Sequence, residues 1–292
     1  TSQVYPGYTK KKLKKISNKK INLIYMVDTL IMGIANKRFF HPEQIILGSN
    51  NDINKQKINK FFKHFKCPKY FFSLEEAELI KVSINMFLFF SVSFANMIDE
   101  FGKNLNINFS KINHVLKNDK RIGNKAYINP SIGISGGHLE RDLFYFLNKS
   151  NNHLAKNIIK TLFKFNDKRK KIFEEKISKM RNIKKILIVG ISYKENSFSI
   201  TNSIFKSLIN NKKYKFYAYD SSFEIDKKIK INVVKNLNNI KKYNLVIFNY
   251  AKKKDFNLIK KFILKNKKIY LMNISNKFKF IDAKNTLNYF PK

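Results

Sequence analysis

The sequence predicts an α/β protein with a doubly wound parallel sheet at its C-terminal end and a helical, dimer-forming domain in the middle. Strand and helix patterns alternate over the last third, a long apolar helix pattern occupies the middle, and strand signals at the start predict the remnant of a first α/β domain. The 292 residues, 43% of them hydrophobic, can form about two buried cores. We place the domains at residues 1–70, 71–180 and 181–292.

The C-terminal elements follow from residue patterns. Strands are short apolar runs, and helices carry apolar residues at intervals of three and four. The predicted strands are residues 185–191, 214–219, 245–250 and 268–274, and the predicted helices are 199–209 and 256–264. Because parallel strands need crossover connections, usually helices, this alternation predicts a parallel sheet covered on both faces.

The central domain begins with a capping box, in which Ser73 precedes a helical run and Glu76 follows three residues later. We expect this long helix to reach Glu100 and to stop at Gly102. Helices at 110–117, 139–148 and 154–165 follow, with a polar helical link at 166–181. Earlier in the chain we expect a strand within residues 1–9 before the Pro6-Gly7 turn, then a lysine-rich helix, strands at 21–26 and 45–47, and a helix at 53–66.

The long helix is apolar on more than one face, which raises the question of a membrane. Between Asn85 and Asn96 ten residues lack an amide or a charge, whereas a membrane span needs about twenty predominantly apolar residues. Lys81 would also be costly in lipid. The sequence therefore predicts a buried helix of a soluble protein without a membrane partner, and we expect it to pack against its twin in a homodimer.

Charge and cysteine content limit the possible partners. Lys and Arg number 59 against 20 Asp and Glu, a net charge of +39 that would suit a nucleic-acid surface. However, the lysines are scattered, no zinc-finger spacing or RNP-like strand is present, and the composition is typical of an AT-rich genome. We therefore expect no nucleic acid and favour a small anionic substrate. Cys67, the single cysteine, excludes an intramolecular disulfide or a site of several zinc-bound thiolates, as in a reducing cytoplasm; we predict no metal.

Two groups of residues could carry chemistry. Glu78, Lys81 and Asn85 share one helix face, where a lysine and an amide need partners; the alternative is a packing helix with a Glu78–Lys81 pair at its solvent edge. The second group is the glycine-rich stretch from Arg121 to Asp142. Its glycines allow close approach of the backbone to a ligand; the alternative is an ordinary loop with a helix cap. The residues singled out there are Arg121, Ser135, Gly136, Gly137, His138 and Asp142.

These residues resemble the nucleotide-sugar dehydrogenases, the UDP-glucose and GDP-mannose dehydrogenase type, in collinear order along essentially the whole chain. Residues 77–85 resemble the family's A-E-x-x-K-x-x-x-N helix, and 94–96 its F-x-N. Residues 121–123 and 129–142 resemble R-I-G and G-x-G-G-x-C-x-x-K-D, and 188–203 resemble a Rossmann-like UDP-binding domain.

The resemblance implies oxidation of the C6 alcohol of a sugar such as UDP-glucose to the acid, with two hydrides passed to NAD in the cytoplasm. Lys81 and Asn85 match an oxyanion-stabilising pair and Asp142 an aspartate that positions water. By the same resemblance, the substrate-binding residues include Arg121, which can reach across a dimer, with Asp28 and Lys194.

The sequence also departs from the family pattern. His138 stands where the family has the cysteine that traps the aldehyde covalently, Val27-Asp28 replaces P-E, and Thr201-Asn202-Ser203 replaces R-E-S. No G-x-G-x-x-G follows a strand, so we expect NAD to be bound by a domain missing from this chain. The resemblance therefore leaves open a catalytically altered or fragmentary dehydrogenase and a non-catalytic relative that binds a nucleotide sugar or a partner protein.

Overall fold

The computed structural model describes residues 4–16, 23–31, 34–50, 55–135, 137–192, 200, 203–221, 231–266, 268–275, 278, 280 and 285–289. These residues divide into two compact units. Unit 1 comprises Thr1–Phe89 and His138–Lys156, and unit 2 comprises Phe90–Gly137 and Asn157–Lys292. The domain boundaries at residues 70 and 180 stay predictions.

The described residues form both helices and strands along the chain. The helices are α1 (Tyr8–Ile16), α2 (Ala35–Phe40), α3 (Lys55–Phe61), α4 (Leu74–Asn104), α5 (Phe109–Asn118), α6 (His138–Lys149), α7 (His153–Ser178), α8 (Phe205–Leu208) and α9 (Lys253–Lys265). The strands are β1 (Ile24–Met26), β2 (Ile45–Ser49), β3 (Lys69–Ser73), β4 (Lys185–Val189), β5 (Lys215–Tyr219), β6 (Asn232–Val233), β7 (Leu245–Phe248), β8 (Tyr270–Asn273) and β9 (Thr286–Asn288).

Unit 1 contains a three-stranded sheet in the order β1-β2-β3, antiparallel between β1 and β2 and parallel between β2 and β3. A Cβ on Gly48 of β2 would lie 2.7 Å from the Ala77 side chain and 2.8 Å from Ser73 O, so glycine allows α4 to pack directly on this strand. Strand β3 was not predicted, because its sequence K-Y-F-F-S lacks alternation. The strand expected within residues 1–9 is absent from residues 4–7, and α1 begins at Tyr8.

Helix α4 starts at the predicted capping box. Ser73 N–H and Oγ both bond Glu76 Oε2 at 2.8 Å, and Glu76 N–H donates back to Ser73 Oγ at 3.2 Å. The helix extends past Gly102 to Asn104 and ends where Ile107 N–H donates to Gly102 O at 2.7 Å.

One face of α4 is exposed in the single chain, and its predicted burial against a twin helix stays a prediction. The exposed residues recur at intervals of three and four, as in a heptad stripe: Phe87, Phe90, Phe94, Met97 and Phe101. Within the described chain α4 is also a helix long and apolar enough to cross a membrane by length and composition, although 39% of its apolar window is buried.

Unit 2 is built on a six-stranded parallel sheet in the order β6-β5-β4-β7-β8-β9. Alternate residues of β4 enter opposite cores: Ile186 and Ile188 pack on one face, and Leu187 and Val189 on the other. The predicted parallel sheet with both faces covered is therefore confirmed. The order reverses between β4 and β7, which is where open α/β sheets bind ligands.

Two other details of unit 2 differ from the prediction. The polar link at 166–181 is not separate, because α7 continues through it to Ser178 with Asn166, Arg169 and Phe173 buried. The short edge strands β6 and β9 were missed because two or three residues give no periodic signal.

We predict that Ser73→Ala lowers the free energy of unfolding by about 1 kcal/mol, because it removes the cap that accepts a bond from Glu76 N–H. Urea denaturation followed by circular dichroism measures the change. Ser83→Ala, at an exposed position within the same helix, is the control and should stay within about 0.5 kcal/mol of the parent chain. Equal losses in the two variants would contradict the capping role.

Candidate active site

Unit 1 brings four of the predicted site residues together around α4. Lys81 Nζ donates to the backbone oxygen of Asp28 at 2.5 Å. One helical turn further, Asn85 Nδ2 donates to Asp142 Oδ2 at 2.7 Å, and both side chains are buried. Asp142 Oδ1 also lies 3.6 Å from Arg141 Nε. The spacing that placed Lys81 and Asn85 on one helix face therefore brings each of them to a partner from another segment.

Glu78 lies on the same face of α4 but bonds a different segment, the start of α1. Its carboxylate is fully buried and accepts hydrogen bonds from Gly7 N–H at 2.6 Å, from Thr9 N–H at 2.9 Å and from the Thr9 hydroxyl. It therefore satisfies backbone donors at the start of α1, which have no partner within that helix. The alternative of a Glu78–Lys81 pair at the solvent edge is wrong.

Burial shifts the pKa values of two residues near this site, Lys81 and Tyr25. Desolvation lowers the pKa of Lys81, and the negative charges of Asp28 and Asp142 oppose that effect. Burial also raises the pKa of Tyr25 to about 12, with the nearby carboxylates of Glu78, Asp142 and Asp28 adding to the shift. The Tyr25 phenol thus keeps its proton at neutral pH, while the Lys81 ammonium gives up its proton more readily than an ordinary lysine.

His138 occupies the first position of α6 with an exposed side chain, one helical turn before Asp142. Cys67 lies in the loop before β3 and packs half-buried against Ile45, Leu47 and Ile58. Among the described residues no cluster of three His, Cys, Asp or Glu could hold a metal ion.

Unit 2 contains a second candidate, a cleft beside the carboxyl ends of β4 and β7. Its walls are formed by residues 130–133 and Ser135 of the glycine-rich stretch and by residues that follow the sheet strands: Ser192, Ser203, Ile204, Asn249, Tyr250 and Ile274. Asn249 Nδ2 donates to Gly190 O at 2.9 Å and to Ser192 O at 3.2 Å, which fixes the turn after β4. The cleft lies at the reversal of strand order.

Sequence reasoning missed part of this cleft. Asn249 and Tyr250 were assigned to a strand, although a polar residue directly after a buried strand signals the ligand-binding edge of a parallel sheet. Gly190 has φ +80°, and a Cβ there would lie 1.9 Å from Tyr250 O. Glycine at this position therefore serves the close approach of two backbone segments.

The remaining predicted site residues lie elsewhere. Arg121 has a side chain that is 89% exposed, and its guanidinium pairs with Asp119 at 2.7 Å. Gly137 precedes α6 with φ +72°. Gly136 and Lys194 lie outside the described residues, as do Thr201 and Asn202.

The fold and these sites define an α/β protein with a doubly wound parallel sheet and a cleft at the sheet edge where this fold class binds its ligands. Residues 75–168 match the model for the central domain of the UDP-glucose/GDP-mannose dehydrogenase family. UDP-glucose 6-dehydrogenase from Campylobacter jejuni is 30% identical over 228 residues, covering 77% of this chain and 56% of that protein. The Rickettsia conorii enzyme of the same name is 27% identical over 192 residues, covering 62% of this chain and 44% of that protein.

Solved structures agree in fold. A UDP-glucose dehydrogenase from the hyperthermophilic archaeon Pyrobaculum islandicum aligns with a TM-score of 0.82 at 20% identity, over 99% of this chain and 69% of that chain. The UDP-N-acetyl-mannosamine dehydrogenase Cap5O from S. aureus aligns with a TM-score of 0.73 at 19% identity, over 99% of this chain and 71% of that chain. The chain belongs to the nucleotide-sugar dehydrogenase family, and it spans about half the length of the curated relatives it matches.

Proposed function

We propose that the protein containing this chain oxidises the C6 alcohol of a nucleotide sugar such as UDP-glucose, with NAD as the oxidant, in the cytoplasm. The observation that carries the proposal is the meeting of Lys81, Asn85 and Asp142 in unit 1, since these residues match the family's A-E-x-x-K-x-x-x-N helix and the aspartate after its glycine loop. The C. jejuni and R. conorii relatives are named as UDP-glucose 6-dehydrogenases.

The chemistry available to these groups suits an alcohol that becomes an oxyanion. An ammonium has three N–H bonds, so Lys81 can donate to Asp28 O and also to a substrate oxygen. Asn85 likewise has a second N–H beyond the one donated to Asp142. Fixed donors at a desolvated position stabilise negative charge as it develops. Asp142 accepts from Asn85 and, as a carboxylate, can orient a water molecule or accept a proton.

NAD would supply the hydride acceptor for the oxidation at C6. The turn after β4 does not fit a dinucleotide, because it has one glycine in G-I-S-Y-K-E and the space beside Gly190 is filled by the Tyr250 backbone. We therefore propose that residues outside this chain hold NAD. The cleft of unit 2, with Ser135 on its wall, is suited to the nucleotide part of the substrate. By their match to the family pattern, Gly136, Gly137 and Lys194 stay proposed substrate-binding residues.

We predict that Lys81→Ala in the whole protein lowers kcat for UDP-glucose oxidation by about 100- to 1,000-fold, because the oxyanion loses a charged donor. In the parent protein, activity needs the protonated amine, so kcat/KM should fall on the alkaline side at a pH below the ordinary lysine pKa. NADH absorbance measures both quantities across pH.

Ser83→Ala, exposed on the same helix, is the control for Lys81→Ala and should keep the parent rate. If Lys81→Ala left kcat unchanged, the proposed role of Lys81 in catalysis would be contradicted. The absence of NADH formation by the parent protein across a panel of nucleotide sugars would contradict catalysis altogether.

His138 favours a second candidate function, a relative that binds a nucleotide sugar without completing the oxidation. Imidazole forms no covalent adduct with an aldehyde as stable as that of a thiolate. Because His138 is exposed at the start of α6, a thiol placed there would be accessible.

We predict that His138→Cys increases formation of the sugar acid, measured by mass spectrometry of the product and by the ratio of NADH to sugar consumed. Leu139→Cys is the matched control, because it places a thiol one residue away on the same helix. Equal acid formation by the two variants, or none by either, would show that the missing nucleophile is not what limits this protein.

We also propose that the protein is a homodimer formed through α4. The exposed part of its stripe in unit 2 lines an apolar depression together with Ile122, Ile128, Ile158 and Leu162. Contiguous exposed apolar residues of this kind mark interaction surfaces in soluble proteins. Ile122 is the neighbour of Arg121, so a second copy seated here would approach the exposed arginine that resembles a substrate-binding residue.

We predict a dimer in sedimentation velocity at micromolar concentration and a monomer for Phe94→Glu, because a charge in the depression would be desolvated by dimerisation. Leu258→Glu, an exposed apolar residue of α9, is the control and should stay dimeric. A parent protein that sediments as a monomer would contradict the proposal.

A further inference from the structure

Residues 131–135 belong to no helix or strand, and all of them except Ile134 line the unit 2 cleft. Their backbone polar groups therefore lack the regular partners that a ladder or a helix would supply, and buried backbone groups must find others. We call these five residues the cleft wall. Side chains from α4 and α7 supply those partners.

The first partner is Asn96 of α4, whose side chain is 1% exposed. Its Oδ1 accepts the Ser131 backbone N–H at 2.7 Å, and its Nδ2 donates to Ser131 Oγ at 3.4 Å. The start of the cleft wall is thus bonded to a buried amide of a long helix.

The second partner is Asn166 of α7, which is 2% exposed. Its Oδ1 accepts the Ile134 N–H at 2.6 Å, and its Nδ2 donates to Ile134 O at 3.3 Å. A single carboxamide therefore satisfies both backbone groups of one loop residue, as a neighbouring strand would.

The third partner is Arg169, one helical turn after Asn166 and 3% exposed. Its Nε donates to Ser131 O at 2.6 Å, its Nη1 to Asn96 O at 3.0 Å, and its Nη2 to Asp99 Oδ2 at 2.5 Å. The carboxylate of Asp99 balances the guanidinium charge, and each of the three guanidinium nitrogens donates a hydrogen bond.

Packing completes the arrangement. The side chains of Ile132 and Ile134 are buried, and a Cβ on Gly133 would lie 2.5 Å from Lys170 Cγ, so the lysine stem covers this glycine. The hydrogen bonds from three side chains and these contacts fix a segment that carries Ser131, Gly133 and Ser135 into the cleft.

We propose that Asn96, Asn166 and Arg169 are positioning residues that hold the cleft wall in its ligand-binding shape and thereby set the affinity for a nucleotide sugar. The inference rests on the proposed function for the identity of the ligand, whereas the fixed conformation of the cleft wall is a property of the ligand-free protein. Preorganised donors bind more tightly because less order is lost on binding.

The first experiment measures amide hydrogen exchange of the cleft wall in the whole protein without ligand. We expect Asn96→Ala and Asn166→Ala to increase exchange there by about fivefold to tenfold, as for the net loss of a hydrogen bond. Asn96→Asp keeps an acceptor for Ser131 N–H and should restore slow exchange. Asn157→Ala, at an exposed position of the same helix α7, is the control and should leave exchange unchanged.

The second experiment measures UDP-glucose affinity by isothermal titration calorimetry with the same four variants. We expect Asn96→Ala and Asn166→Ala to bind about tenfold more weakly, in step with their faster exchange. Asn96→Asp and Asn157→Ala should bind like the parent protein. Circular dichroism reports whether each variant folds. If Asn166→Ala does not fold, the contrast between Asn96→Ala and Asn96→Asp still tests the inference.

The outcomes separate the inference from the proposed function. Unchanged amide exchange in Asn96→Ala and Asn166→Ala, or faster exchange in them with unchanged UDP-glucose affinity, overturns the positioning role. If the parent protein binds no nucleotide sugar, the proposed function fails, and exchange in the ligand-free protein still decides whether these side chains fix the cleft wall.

Discussion

The structure depends on the cost of burying polar groups in an apolar helix. Besides Ser93, four polar residues of α4 are buried, and a buried polar group without a partner destabilises the fold by several kcal/mol in the worst case. Each therefore bonds another segment: Glu78 the start of α1, Asn85 the carboxylate of Asp142, Asn96 the cleft wall, and Asp99 the guanidinium of Arg169. The buried polar side chains of α4 thus bond three other helices, α1, α6 and α7, and the cleft wall, which belongs to no helix or strand.

The sequence predicted those parts of the fold that carry a periodic signal. The parallel sheet, the capping box at Ser73 and the shared face of Lys81 and Asn85 all follow from spacing, and all are present. The spacing could not name the partners. The acceptor for Lys81 is a backbone oxygen, which every residue has, and the partner of Glu78 is the backbone of a turn.

The same limit explains why the sequence did not reveal the contacts of α7. Residues 166–181 are mostly charged, which suggests a solvated linker, yet Asn166 and Arg169 are buried because one face of the helix meets the cleft wall. Composition averages over the faces of a helix, whereas burial depends on a single face. The short strands β6 and β9 were missed for another reason, since strands of two and three residues carry no periodic signal.

The two faces of α4 also bear on what covers its apolar stripe. By length and hydropathy the helix could cross a membrane, but its opposite face buries Glu78, Asn85, Asn96 and Asp99. Each of these residues is bonded to other segments of the chain, so lipid could reach only the side that carries the phenylalanines. A heptad-spaced apolar stripe is instead the kind of surface on which another helix packs its own side chains. Because the buried face of α4 is polar and bonded to the rest of the chain, a protein partner rather than a membrane is favoured for its exposed apolar stripe.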